Sequence, residues 1–438
     1  MQELAASNKP EAPLLNTAPH KRGLVENIFS LYILQGLNYA IPMLVLPYLV
    51  RTLGMEMYGL LAFTQSFAQY FTLFTDYGFN FSATRAIAQE NGNHEKLSRI
   101  FCAVMLIKLA LSLVGTVVLL IIVHAVPRFQ ENQSFFLVAY AAVLGSVFFP
   151  TWFFQGLQQM RYVSAVIGFS RVIGTAALFV FVHRPEDGLL ALSIQSLTVL
   201  GGGLAGMWIA FRNFHLHIRK PTIEDLTIAV RDGWHLFVST AAVSLYTNTN
   251  VFLVGLLAGN LEAGYFSAAE KMIRAIQGLI GPINQAIFPH VNSLMTKSRE
   301  DALEFARKAM RWTGSISWVG SALLFLLAPY VVTLLFGHQA VGSLGVIRWI
   351  AFIPFLVAVS NVLGIQVMVT FGFDKQFSRI LIMAGIFNLS LAVPLVKLYA
   401  AVGAGASVFL TEVLVTVVMI VVLQRHGIYI WTRTGERA

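Results

Sequence analysis

The sequence predicts an all-α polytopic membrane protein, with about twelve transmembrane helices in two six-helix pseudo-symmetric lobes. Three observations lead there. Hydrophobic residues make up 57% of the chain and charged residues 12%, against roughly 45–50% and 25% in soluble domains. Apolar stretches of about twenty residues recur from end to end, each able to cross roughly 30 Å of hydrocarbon. The two halves of the chain also repeat each other. A single anchor on a soluble domain would leave long charged segments, and the sequence has none.

Taken in order, spans are expected near 24–50, 58–83, 100–124, 134–157, 163–182, 189–211, 234–257, 264–290, 310–336, 343–370, 380–396 and 399–423. This frames a tail at 1–23, an N-lobe at 24–211 (spans 1–6), a linker at 212–233, a C-lobe at 234–423 (spans 7–12) and a tail at 424–438. The tails and the loops near 85–99, 158–161, 212–233, 295–311 and 373–379 hold 21 of the 30 Lys and Arg. The opposite loops hold Arg51, Arg128, Arg184 and Lys397. The positive-inside rule therefore expects both termini in the cytoplasm. The net charge of +9 mostly reflects this asymmetry and contact with anionic lipid heads. No nucleic-acid partner is expected, because no soluble domain is there to carry one.

The linker reads as an interfacial amphipathic helix tethering the halves. Thr222 and Asp225 make a capping box, and Ile223, Leu226, Val230 and Trp234 follow at helical spacing. Opposite connections such as Gly259 to Ala263 are too short for an extracytoplasmic catalytic domain. The first twenty residues are polar, without an apolar stretch before Leu24, so no cleavable signal peptide is expected.

The repeat is visible in matched segments. Leu53-Gly54 before Tyr58-Gly59 parallels Ala258-Gly259 before Gly264-Tyr265. Gly156-Leu157-Gln158-Gln159-Met160 parallels Gly364-Ile365-Gln366-Val367-Met368, and Phe169-Ser170-Arg171 parallels Phe377-Ser378-Arg379. The offsets run from 205 to 208. Two parallel repeats imply a pseudo-twofold axis along the membrane normal, with a site between the halves.

Polar residues inside the spans locate that site. Span 2 carries Gln65, Gln69, Thr72, Asp76 and Asn80 on one helical face. Span 8 carries Glu270, Arg274, Gln277, Gly281 and Asn284/Gln285 at corresponding positions, with Lys271 beside them. Span 1 adds Asn27, Gln35 and Asn38, and span 7 adds Ser239, Tyr246 and Asn250. Such groups serve either as hydrogen-bonding glue between helices or as the wall of a hydrated cavity. Stripes this long on equivalent helices fit the cavity better.

The ionisable residues in the spans are Lys108, Arg171, Lys271, Arg274 and Arg348, with Asp76, Glu270 and Glu412. A charge at the membrane centre costs roughly 2.5–3.5 kcal/mol on insertion scales, so each should face a partner or water. Glu270 and Arg274, at i and i+4, can pair with each other, which leaves Lys271. The expected substrate contacts are Lys271 and Arg274, with Gln277, Asn284, Gln65, Gln69, Asn38 and Asn250 as polar lining. Lys108 and Arg348 are further cationic candidates. Arg171, aligned with Arg379, is expected to snorkel from a cytoplasmic helix end. Asp76 has no basic residue one turn away, although Lys271 or Arg274 could meet it across the cavity, and is a candidate proton or cation carrier. Glu270 and Glu412 are further ion-coupling candidates; a structural hydrogen bond is the competing role for each. Five cations against three acids favour an anionic substrate, and a guanidinium matches phosphate oxygens in a bidentate fork.

The single cysteine, Cys102, excludes an intramolecular disulfide and a thiolate metal site. No nucleotide-binding Gly-Lys-Ser/Thr loop or His-Glu-x-x-His is present. No catalytic residue, metal or cofactor is therefore expected, and the driving force would be a gradient of H⁺ or Na⁺, the membrane potential or the substrate itself.

Several stretches together resemble a known family. They are Asn27 to Ala88, with Pro47-Tyr48-Leu49, Leu53-Gly54, Tyr58-Gly59 and Asp76-Tyr77-Gly78-Phe79; Pro150-Thr151-Trp152-Phe153-Phe154-Gln155-Gly156, ending at Met160; and Gly364 to Arg379, with Gly372, Lys375 and Phe377. The chain is similar to the O-antigen and polysaccharide-unit flippases (Wzx type) of the multidrug/oligosaccharidyl-lipid/polysaccharide exporter superfamily. Some members carry an acidic residue near the position of Gln158. The resemblance implies an inner-membrane, V-shaped pair of lobes with spans 1, 2, 7 and 8 lining a cationic cavity. It implies an undecaprenyl-pyrophosphate-linked oligosaccharide as cargo in polysaccharide and lipopolysaccharide biosynthesis, with its phosphates near Lys271 and Arg274. A polysaccharide polymerase and a chain-length regulator are the protein partners to look for. A cation antiporter for drugs or small molecules of the same superfamily, or a membrane-embedded glycosyltransferase or polymerase, stands as the alternative. The glycosyltransferase reading would need a sizeable loop of catalytic carboxylates that the sequence lacks.

Overall fold

The structure, a computed structural model, describes residues 36, 41–90 and 92–429, with the side chains at 242, 243, 245, 246, 279–286 and 288–290 left out. The described chain is helical almost throughout. The N-terminal half contains α1 (Ile41–Leu53), α2 (Met55–Asp76), α3 (Phe79–Gln89), α4 (His94–Ala125), α5 (Pro127–Gln130), α6 (Gln133–Phe148), α7 (Thr151–Gly156), α8 (Met160–Phe181) and α9 (Gly188–Phe214). The C-terminal half contains α10 (Ile223–Ala258), α11 (Asn260–Met295), α12 (Arg299–Phe336), α13 (Ser343–Ile350), α14 (Ile353–Asn361) and α15 (Asp374–Arg425). A wide-turned π-helical stretch, Val362–Val369, extends α14. The helix α15 bends at Ala400 and so supplies both the eleventh and twelfth spans.

Local chemistry sets the breaks. The α1–α2 and α10–α11 turns each rest on one glycine, Gly54 at φ 81, ψ 163 and Gly259 at φ 106, ψ 173. Only glycine is at ease in that region, which is why these residues mark the repeat. Span 2 is interrupted: Tyr77 and Gly78 are both left-handed, and α3 starts afresh. The capping box at the head of α10 is present, with Thr222 Oγ1 accepting from Asp225 N and Asp225 Oδ2 accepting from Thr222 N. The helix it starts runs without a break from the linker into the seventh span.

Among the described residues, seven helical stretches are long and apolar enough to cross a membrane. They expose large apolar side chains such as Leu113, Ile121, Phe169, Leu326 and Ile386, the belt expected of lipid-facing helices. This is a multi-pass membrane protein.

The apolar cores divide by end. At the end carrying Gly54 and Gly259, one cluster joins both lobes, from Leu49, Tyr58 and Phe63 to Val254, Phe266 and Phe336. At the opposite end there are two. One lies in the N-lobe around Phe101 and Trp152, the other in the C-lobe around Leu363 and Met419. The lobes thus share a core at one end, while at the other they meet through α10, whose Phe237 stacks on Tyr77 with ring centres 5.1 Å apart.

Candidate functional site

Three cavities line the space between and within the lobes. The central one, about 350 Å³, takes Gln65, Ser66 and Gln69 from α2 and Glu270, Lys271 and Arg274 from α11. A second, about 500 Å³, lies in the C-lobe and includes Asn250, Glu270, Arg274, Gln277 and Glu412. A third, about 290 Å³, lies mainly in the N-lobe between α1, α8 and α9, and includes Arg171, Gln195 and Lys271. Lys271 lines the central and N-lobe cavities; Glu270 and Arg274 line the central and C-lobe cavities.

The charges in these walls are not equivalent. Arg274 Nη2 pairs with Glu270 at 2.8 Å and donates to Thr247 O at 2.7 Å and Asn248 Oδ1 at 3.3 Å. Its side chain nevertheless stays 46% exposed toward the cavity. The Lys271 ammonium sits 5.2 Å from the centre of the Tyr58 ring, a cation–π contact. No carboxylate of the described residues lies within ion-pair reach of it. Gln65 Nε2 donates to Gln195 Oε1 at 3.1 Å, so one member of the α2 stripe is tied to α9. Asn250 is buried, and its Oδ1 has no hydrogen-bond partner among the described residues.

The chain is similar to known proteins in sequence and fold. The family described as "Polysaccharide biosynthesis protein" matches residues 24–295. The chain belongs to that family. A curated relative from Escherichia coli (strain K12), named "Putative O-antigen transporter", is 33% identical over 411 residues, covering 94% of this chain and 99% of its own. The fold is similar to an inward-facing multidrug resistance MATE family transporter of the MOP superfamily: TM-score 0.66, 17% identity, 92% of this chain and 98% of that one. It is also similar to the lipid II flippase MurJ in an inward closed conformation: TM-score 0.65, 10% identity, 92% and 87%.

Within this polysaccharide biosynthesis fold, several residues stand elsewhere than the sequence led us to expect. Asp76 has a basic partner. Lys108 of α4, 1% exposed, places its ammonium 3.0 Å from Asp76 Oδ1 and donates to Ser146 O at 3.2 Å. Both charges are thus held away from the three cavities. Arg348 is exposed on α13 and lines none of the three. Arg171 does not sit at a helix end; it is midway along α8 and lines the N-lobe cavity. The repeat alignment misled here, because Gln158 lies in a turn whereas Gln366 lies inside the π-helical stretch. The corresponding C-lobe turn comes later, at Gly372, so Arg379 is near the start of α15 while Arg171 is deep in α8. Gln69 and Gln277 line the central and C-lobe cavities respectively. Asn27, Gln35 and Asn38 lie outside the described residues, as do the side chains of Tyr246, Asn284 and Gln285.

Proposed function

We propose that this protein is a flippase for lipid-linked oligosaccharides, moving an undecaprenyl-pyrophosphate-linked repeat unit such as an O-antigen unit from the cytoplasmic to the outer leaflet of the inner membrane. The observation that carries this is the cavity between the lobes. It has on one wall a cation, Lys271, that forms no ion pair with a carboxylate of the described residues, and on the other the neutral hydrogen-bonding groups Gln65 and Gln69. Family membership and the O-antigen transporter name of the E. coli relative support the cargo class.

On the positive-inside rule the basic loops, the linker and both termini would be cytoplasmic. The shared core then faces outward and the cavity lies on the cytoplasmic side of it. A phosphate group would be drawn to the cationic wall, the sugars would be solvated by the amides, and the polyprenyl tail would stay in lipid. Rocking of the lobes would exchange the closed end. Glu270 and Glu412, on the C-lobe cavity, are where a proton or sodium ion would couple to that motion. A polysaccharide polymerase and a chain-length regulator remain the partners to look for.

The test is export in a strain lacking the chromosomal copy. Lys271→Gln with Arg274→Gln should abolish surface polysaccharide, with lipid-linked units accumulating on the cytoplasmic face, while the protein still inserts. Full export by the double variant would remove the cationic wall from the mechanism. The acidic C-lobe cavity, with Glu270 and Glu412 against Arg274, favours a second reading as a cation antiporter. Drug resistance without a polysaccharide defect would select it.

A further inference from the structure

A fourth cavity, about 370 Å³, shares no lining residue with the other three. It is framed by α3, α4 and the first turns of α10. Small side chains make the room: Ser82, Ala83 and Ala86 on α3, Ala103 on α4 and Ala229 on α10. We propose that it binds one phospholipid with a primary-amine headgroup, the phosphate at Arg99, the ammonium at Asp232 and an acyl chain along the floor between α3 and α4. The inference goes beyond the flippase reading and does not depend on the cargo.

Depth sets the ligand class. Lys96 and Arg99 lie in the first two turns of α4, and Val104 is about 12 Å further along the axis from Lys96. The helix α3 has Phe79 at its start and Glu90 at its end. The cavity therefore has a charged rim and an apolar floor, where Phe79, Ala83, Ala103 and Val104 are at most 3% exposed. The rim lies beside the basic stretch 85–99, on the side that the positive-inside rule assigns to the cytoplasmic leaflet. Ile223, Ile228 and Trp234 of α10 stay exposed there, as on a helix at the membrane surface. A charged rim above an apolar floor at that depth suits an amphiphile rather than a soluble ion.

The rim charges divide by wall. Lys96 is engaged by Glu90 at 3.0 Å, and Asp225 Oδ2 by the Thr222 N–H at 2.9 Å. On the α4 side that leaves Arg99, which is exposed and forms no ion pair with a carboxylate of the described residues. On the α10 side it leaves Asp232, 41% exposed and held only loosely by Arg85 at 3.7 Å. An anionic lipid would meet Arg99 but also three carboxylates, Glu90, Asp225 and Asp232. A headgroup with both a phosphate and a primary ammonium satisfies both walls, the phosphate on the guanidinium and the ammonium N–H donors on the carboxylate. A quaternary ammonium has no N–H to give. Tyr77 stacks on Phe237 of α10, and α10 continues unbroken into the seventh span. A lipid between α4 and α10 thus bears on the contact through which the lobes meet at this end.

The experiment titrates the full chain in detergent with dioleoyl phosphatidylethanolamine, phosphatidylcholine or phosphatidylglycerol and counts bound lipids by native mass spectrometry. Phosphatidylethanolamine should bind tighter than either of the others by about threefold or more, as for one partly exposed ion pair. Asp232→Asn should erase the preference over phosphatidylcholine and leave phosphatidylcholine binding as it was. Arg99→Gln should weaken both by a similar factor. Ala103→Leu, which fills the floor without changing charge, should weaken both as well, and it serves if a charge variant fails to fold. Glycerophosphoethanolamine, the headgroup without chains, should not compete. In nanodiscs, replacing phosphatidylcholine by phosphatidylethanolamine should slow amide exchange of residues 223–233, and this effect should vanish in Arg99→Gln. Equal affinity for the amine and choline lipids, tighter binding of phosphatidylglycerol, or a preference that survives Asp232→Asn or Ala103→Leu overturns the proposal. So does competition by the chain-free headgroup.

Discussion

The pair Asp76–Lys108 shows what a single residue has to solve inside a span. Asp76 is the last residue of α2, where the helix dipole presents its negative end and disfavours a carboxylate. Lys108 compensates both charges at once, at 3.0 Å, and Asn80 Nδ2 adds a longer contact of 3.5 Å to the other carboxylate oxygen. Removing one member of a buried ion pair leaves the other uncompensated, at about 3–5 kcal/mol. Asp76 keeps 27% exposure, so Lys108→Ala should fall near the low end, about 3 kcal/mol. Lys108→Met with Asp76→Asn should recover most of the loss. Thermal unfolding of both variants in one detergent decides it; a double variant no better than Lys108→Ala would mean the pair is not the source of the loss. The ionisable residues were legible in the sequence one by one, but not this pairing. Its partners are 32 positions apart on different helices, and no spacing rule links them. For the opposite reason Glu270–Arg274 was legible: four residues on one helix are neighbours by geometry alone.

Elements were legible where apolar length decides them, and less so where one residue decides. The capping box of α10 belongs to the first turn of a helix and can be read locally; both of its hydrogen bonds are present. The break at Tyr77-Gly78 and the π-helical stretch at Val362–Val369 cannot, because a left-handed residue or a wide turn leaves the apolar pattern intact. The π-helical stretch, set against the turn at Gln158 in the other half, accounts for the misplaced depth of Arg171. The α10 cap also carries a pH dependence. The backbone N–H of Thr222, and then the Thr222 hydroxyl and Arg99, hold the Asp225 carboxyl below the ordinary carboxylate range. A depressed carboxyl contributes stability that is present above its unfolded value of about 3.9 and lost as pH falls through its folded one. Protection of the amides of residues 223–227 against hydrogen exchange, corrected for intrinsic rate, should therefore fall on acidification below that range and be flat above it. Thr222→Ala should lower it at neutral pH by about 1 kcal/mol. Protection unaffected by that substitution would show that packing alone holds the first turn.

At the scale of the whole molecule, what matters is where the lobes are fastened. Arg51 donates to Leu335 O at 2.9 Å and to Leu334 O, Gln339 donates to Val50 O at 2.8 Å, and Tyr58 and Ser267 share a hydrogen bond of 3.3 Å. All of these ties join N-lobe to C-lobe at the Gly54/Gly259 end. They are possible because α2 and α11 touch backbone to backbone. A Cβ on Gly59 would lie 1.8 Å from Asn260 O, and one on Gly264 would lie 2.3 Å from Met55 O. Neither obstacle is a side chain that can swing away. The sequence match between Tyr58-Gly59 and Gly264-Tyr265 thus records a contact between the lobes as well as a repeat. Gly59→Ala should force α2 off α11 at this end, at an overpacking cost of about 1–3 kcal/mol, and so favour any conformation in which the end is open. The reporter is the distance between spin labels at Glu131 and His338, exposed residues of the two lobes, in a Cys102→Ser background. It should lengthen in Gly59→Ala and stay unchanged in Gly320→Ala, where a Cβ meets nothing within 4 Å. If the Gly59 variant folds and keeps the parental distance, the glycine contact is not what holds the lobes shut, and the hydrogen bonds around Arg51 and Gln339 must do so by themselves.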